Sequence, residues 1–264
     1  MEIGISTASL FLRMYNEEAV SCLDKLDSRV AEVFLESFSE YKEQFGKKMK
    51  ENLGNLKIHS VHVVTTQYEP QLFEENDRAR NDAFEMFENV LKCGYQIGAK
   101  NYTLHGKAKL KPTVVFNKFD LYINSFNKLS EVAEKYGMNV CLENVFWCFY
   151  NYVGFFSKLK DACPKLRTCL DIKQARLSGY EVKDYINEMA GRINTVHLSD
   201  YSDNGMCLPG RGKVDFEELF KMLKDAGFTG NMLIEVYKDD YKEIEELSQS
   251  LEYLREKKYK IFGE

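Results

Sequence analysis

Four short apolar runs in this chain each end abruptly in a residue type that binds metal or moves protons. Val140-Cys141-Leu142 runs into Glu143, Thr168-Cys169-Leu170 into Asp171, Asn194-Thr195-Val196 into His197, and Met232-Leu233-Ile234 into Glu235. Each run is too short and too β-prone for a helix, so each reads as a buried strand. A buried strand tolerates a carboxylate only at its end, where a metal, a substrate or water compensates the charge. Three carboxylates and one imidazole suit one divalent ion (Mn²⁺, Mg²⁺, Co²⁺ or Zn²⁺), with positions left for substrate oxygens. No thiolate belongs to the set, which argues against a closed structural zinc site.

Other residues are candidates for substrate contact. His62 and His105 end two earlier strands and would face the same mouth; the bland alternative is a core histidine hydrogen-bonded to a carbonyl. His59, three residues before His62, points elsewhere and reads as structural. Trp147, the only tryptophan, follows the Glu143 strand with Phe146 and Phe149, where it could wall a bound substrate or simply pack. Lys107 and Arg211 lie in loops on the presumed active face, where they would hold a phosphate or carboxylate or stay solvated. Glu36 ends the second strand and would reach a substrate hydroxyl or a ligand histidine.

Positioning these side chains requires a regular scaffold, and the chain supplies one. Strands are expected at 3–6, 30–35, 58–63, 101–104, 138–142, 167–170, 193–198 and 232–236. Helical patterns separate them at 17–26, 41–53, 78–97, 114–136, 155–162 and 182–189. A further helix begins at the cap Asp215 and stops at Gly227, and the last covers 241–258. Asp77 is the expected cap of the third helix, and Pro112 introduces the fourth. A long polar loop runs from 198 to Pro209-Gly210-Arg211-Gly212. Strict strand–helix alternation requires parallel strands with crossover helices. Eight such units predict a single (β/α)8 barrel over residues 1–264, in which strand ends converge on one mouth.

Composition fits that expectation. The length of 264 residues is close to one such barrel, and 44% hydrophobic residues suffice for its core. A net charge of −5 carries no electrostatic footprint for nucleic acid. No apolar run approaches the length of a membrane span. The chain enters a strand at once, so no signal peptide is expected, and seven scattered cysteines without a C-x-x-C pair suggest a reducing cytoplasm. There is no G-x-G-x-x-G after a strand and no Walker-A loop, which removes the best evidence for nucleotide binding. Assembly as a homo-oligomer stays open.

The series Leu142-Glu143-Asn144, Leu170-Asp171, Val196-His197-Leu198 and Ile234-Glu235, with Pro209-Gly210-Arg211-Gly212 and Val214-Asp215-Phe216, resembles the xylose isomerase-like barrel superfamily. That group includes sugar isomerases, ketose 3-epimerases, related dehydratases and the endonuclease IV type of apurinic-site nuclease. The resemblance spans essentially the whole chain and implies a divalent metal held by Glu143, Asp171, His197 and Glu235. It also implies a carbohydrate substrate: one glutamate removes a proton beside a carbonyl, a metal stabilises the enediolate, and the other glutamate returns the proton to the opposite face. Delivery to the adjacent carbon would give isomerisation instead. Many relatives carry His three residues after the aspartate; here that residue is Gln174, able to hydrogen-bond a substrate but a poor metal ligand. An endonuclease IV-like phosphodiesterase would need more histidines than the four present. A dehydratase acting by the same enolate route, or a non-catalytic sugar binder, would use the same residues.

Overall fold

The structure is a computed structural model that describes residues 1–109 and 118–263. Seven strands come first: β1 (Ile3–Ser6), β2 (Val30–Leu35), β3 (Lys57–Val63), β4 (Asn101–Leu104), β5 (Asn139–Glu143), β6 (Arg167–Asp171) and β7 (Ile193–Leu198). A hairpin of β8 (Asp200–Ser202) and β9 (Gly205–Cys207) follows, and β10 (Asn231–Ile234) supplies the eighth barrel strand. The strands pair in parallel as β1-β10-β7-β6-β5-β4-β3-β2, and the ring closes where Ile3 pairs with Met232 and Ile5 with Ala31. The expected closed (β/α)8 barrel is therefore the fold. No described helix is long and apolar enough to cross a membrane.

Among the described residues, eight α-helices surround the barrel: α1 (Asn16–Lys25), α2 (Glu43–Lys50), α3 (Asp77–Gln96), α4 (Phe119–Glu134), α5 (Ile172–Leu177), α6 (Val182–Met189), α7 (Phe216–Asp225) and α8 (Glu245–Phe262). Their inner faces follow the helical period. In α7, Phe216, Leu219, Phe220 and Leu223 are the buried positions, and Asp215 caps the first turn by accepting from Glu218 N at 3.0 Å. Two glycines mark close approaches. A Cβ on Gly4 would lie 1.8 Å from the Val30 carbonyl oxygen, where β1 meets β2. One on Gly94 would meet Met138 at 2.9 Å, where α3 lies on the barrel.

Several local expectations change. The helix expected at 155–162 is only a 3-10 turn, Phe156–Lys158. There Phe155 and Phe156 stack on Tyr150 with centroids 5.3 and 6.2 Å away, so tertiary aromatic packing rather than helical periodicity places them. Its missing turn is offset by α5, which starts directly off β6 because Asp171 caps it. α3 is capped by Asn76, not Asp77: the Asn76 side chain accepts from Arg78 N and Ala79 N. The expected start of the fourth helix at 114, behind Pro112, lies outside the described residues.

The polar loop after β7 folds back as the β8–β9 hairpin. Asp200 anchors it, accepting from the backbone N–H of Tyr201, Gly210, Gly212 and Val214 at 2.8 to 3.1 Å. This explains the glycine in the motif: a Cβ on Gly212 would lie 2.2 Å from the Tyr201 carbonyl oxygen and 2.3 Å from Asp200 Oδ1.

Candidate metal centre

The four strand-ending residues converge at the carboxyl end of the barrel. One ligand atom from each of Glu143, Asp171, His197 and Glu235 lies within 4.8 Å of the others. His197 Nδ1 is 3.5 Å from Glu143 Oε1, 3.4 Å from Glu235 Oε2 and 3.9 Å from Asp171 Oδ2. Glu143, Asp171 and His197 are 1% exposed, so these charges are removed from bulk water. Asp171 divides its oxygens: Oδ1 accepts from Gln174 N at 2.8 Å, and Oδ2 is left toward the centre.

Buried polar atoms are normally paired. Here Glu143 Oε1 and Oε2, Asp171 Oδ2, Glu235 Oε2 and both His197 nitrogens complete no hydrogen bond of good geometry. The electrostatics are equally unbalanced. Burial pushes the Asp171 carboxyl up to about 6, against Lys173 and together with the Glu143 charge. Burial also raises Glu235, opposed by His197 and reinforced by Glu32 and Glu143. Burial would raise Glu143 too, but positive charge on His105 and His197 outweighs it and holds that carboxyl well below its ordinary range. Burial opposes charge on His197, yet Cys169, Glu235, Glu32 and Glu143 hold the imidazolium well above the ordinary histidine value. Orphaned hard donors that repel one another fit a divalent cation, and three carboxylate oxygens with one imidazole nitrogen are the donor types it takes.

Beneath this centre lies Glu32, which no strand-end pattern in the sequence singles out. It sits in the middle of β2, fully buried, and accepts from Ser60 at 2.7 Å, Thr103 at 2.6 Å and Ser6 at 3.3 Å. Its Oε1 lies 3.1 Å from His197 Nε2. A carboxylate there favours the tautomer with the proton on Nε2 and leaves the Nδ1 lone pair toward the other three carboxylates. The available signal was a lone glutamate inside the apolar run Val30-Ala31-Glu32-Val33-Phe34-Leu35. It is Glu32, rather than Glu36 at the strand end, that approaches the histidine.

His62 and His105 adjoin Glu143. His62 Nδ1 donates to the Thr103 carbonyl at 2.9 Å, which leaves Nε2 facing His105 Nε2 at 3.0 Å. His105 Nε2 is 2.9 Å from Glu143 Oε2, and its Nδ1 is paired with the Thr65 hydroxyl. Trp147 meets His105 edge-on with centroids 5.3 Å apart. Gln174 Oε1 accepts from Phe146 N at 3.3 Å. The two loop cations are paired, Lys107 with Glu74 at 2.8 Å, and Arg211 with Glu246 and with Gln249 at 3.1 Å. His59 lies away from the centre, within reach of Thr195 at 2.9 Å and Asn231 at 3.1 Å.

A family model described as a xylose isomerase-like TIM barrel matches residues 18–257. Among individual proteins, the chain is 24% identical over 131 residues to an inosose isomerase from Halalkalibacterium halodurans, covering 45% of this chain and 46% of that one. It is 22% identical over 183 residues to a fructoselysine 3-epimerase from Escherichia coli O157:H7, covering 65% of each. The matched part is thus under two thirds of either relative. In three dimensions the chain superposes on the IOLI protein, solved with a binding zinc atom, at a TM-score of 0.81 and 17% identity, covering 100% of both chains. At that identity the likeness concerns the fold.

Proposed function

Since the chain belongs to the xylose isomerase-like TIM barrel family, we propose that it is a divalent-metal-dependent isomerase or epimerase of a polyhydroxylated ketone. The single observation that carries this reading is the convergence of four orphaned ligand atoms from Glu143, Asp171, His197 and Glu235, two of them glutamates on separate strands. Those four residues would hold the cation. When bound, it supplies Lewis-acid stabilisation of the negative charge that a hydroxy-ketone acquires on losing a proton. The named relatives agree with that substrate class: an inosose and fructoselysine each carry a ketone beside a carbon bearing a hydroxyl.

The chain's own residues then divide the work. Glu143 and Glu235 approach from different sides, 3.5 and 3.4 Å from the same His197 nitrogen. Their environments push them apart: Glu143 is held ionised, and Glu235 is raised by burial. That split suits Glu143 as the base that takes the C–H proton and Glu235 as the acid that returns one to the other face. Glu32 holds His197 in register, and Trp147 with His105 walls the Glu143 side. A nuclease reading is disfavoured by imidazole supply, because the chain has four histidines and His59 is engaged away from the centre.

The test is solvent exchange. Manganese-loaded protein is incubated in deuterated water with D-fructose, D-tagatose and myo-inosose, and deuterium on carbon is followed by NMR. Exchange and product are expected for at least one of them. Glu143→Gln and Glu235→Gln, checked for metal content, should each lower turnover by about 10²–10⁴, as expected for loss of a general acid or base. Wild-type rates in both variants would refute proton transfer by these residues. Product without carbon-bound deuterium would point to hydride transfer on the same barrel.

A further inference from the structure

Lys173 is the second residue of α5, two positions beyond Asp171, and it is only 3% exposed. The helix starts on the Asp171 cap, so the side chain is held at the rim by a rigid element rather than a loop. Its ammonium lies over the Tyr237 ring, 4.2 Å from the centroid, and Tyr237 forms the half-exposed outer cover. Among the described residues that ammonium makes no hydrogen bond and no ion pair. Three N–H donors inside the protein need acceptors. Asp171, Glu235 and Glu143 favour the charged form of Lys173 against its burial.

Among the described residues, three other cations are engaged elsewhere. Lys107 and Arg211 are paired with Glu74 and Glu246, and the Arg13 guanidinium is spent on the carbonyls of Lys238, Tyr241 and Lys242. Lys173 offers a single ammonium. It matches one oxygen that changes charge during the reaction.

We propose that Lys173 binds the substrate oxygen that becomes anionic when the C–H bond beside the carbonyl breaks. This rests on the hydroxy-ketone reading above. In the step, the C–H proton passes to Glu143. The C–H electron pair forms the C=C bond and the carbonyl π pair moves onto oxygen. Lys173 donates a hydrogen bond to that oxygen and keeps its proton. Return of a proton from Glu235 to carbon reverses the electron flow.

The probe is glycolohydroxamate, whose anion copies a planar enediolate and needs no turnover. Its binding to manganese-loaded wild type, Lys173→Met, Lys173→Gln and Lys173→Arg is measured by calorimetry, after Mn²⁺ affinity has been measured for each. Mn²⁺ affinity should be retained, while probe affinity falls about 10–100-fold in the Met and Gln variants and less in the Arg variant, the range of one charge-assisted hydrogen bond. On a turned-over ketose, kcat should fall more than KM rises. Probe affinity within about twofold of wild type in the Met or Gln variant, absence of probe binding by wild type, or loss of Mn²⁺ from every variant would overturn the assignment. If the probe binds in a Lys173-dependent way while none of the three ketones exchanges hydrogen, the assignment stands and the hydroxy-ketone reading falls.

Discussion

Replacing Glu32 by Gln removes a negative charge from beneath His197 while keeping its size. The side-chain oxygen can keep facing His197 Nε2, now 3.1 Å from Glu32 Oε1. The Ser60 and Thr103 hydroxyls, at 2.7 and 2.6 Å, can rotate to accept from the new amide. The loss is therefore confined to charge: the carboxylate no longer stabilises the Nε2–H tautomer or enriches the Nδ1 lone pair. Removing such a partner from a metal-binding histidine costs about 10–100-fold in metal affinity, or about 1.4–2.7 kcal/mol. Glu32→Ala should cost more in folding, about 3–5 kcal/mol, because it leaves His197 and the hydroxyls without their buried partner. Mn²⁺ titration calorimetry on Glu32→Gln gives the first number, and ¹⁵N-correlated imidazole spectra report the tautomer. An unchanged Mn²⁺ affinity with an unchanged Nε2–H signal would refute the reasoning, and would mean that barrel packing alone orients His197.

The remaining predictions concern protons, ligands and the supporting network. Asp171 is raised by burial from 3.8 to about 6, Glu69 by burial from 4.5 to about 7, and His197 stays above its ordinary 6.5 because surrounding acids outweigh its burial. All three hold protons more tightly when folded, so their stabilisation is present at low pH and lost as pH rises through these windows. The Tm of metal-free protein should fall from about pH 5 to about pH 8, with Mn²⁺ restoring more at the upper end; a rising Tm without metal would contradict the assignment. Asp171→Ala should lose most Mn²⁺ by elemental analysis, and Asp171→Asn, which can still cap α5, should lose it with a smaller fall in Tm. Tyr102→Phe deletes the hydroxyl between Glu69 at 2.8 Å and Tyr68 at 2.6 Å and should cost about 1–3 kcal/mol in urea unfolding.

The barrel was legible in the residues because its signals are local. Period-two apolar runs and 3.6-period helix faces alternate along the chain, and eight parallel units admit few closed arrangements. The four converging residues were legible for the same reason: each ends a buried run, and the barrel carries every strand end to one mouth. What decides Glu32, Lys173 and the segment after β5 is not local. Glu32 survives inside a strand because Ser6, Ser60 and Thr103 arrive from three other strands to bind it. Lys173 is buried because Tyr237, just beyond β10, closes over it. Residues 155–162 keep only one short turn because Tyr150 gives their aromatic rings a better partner than helical packing would. In each case the deciding energy is a contact between segments distant in sequence. A residue's own neighbours in the chain therefore carry no record of it, and only the closed barrel brings the partners together.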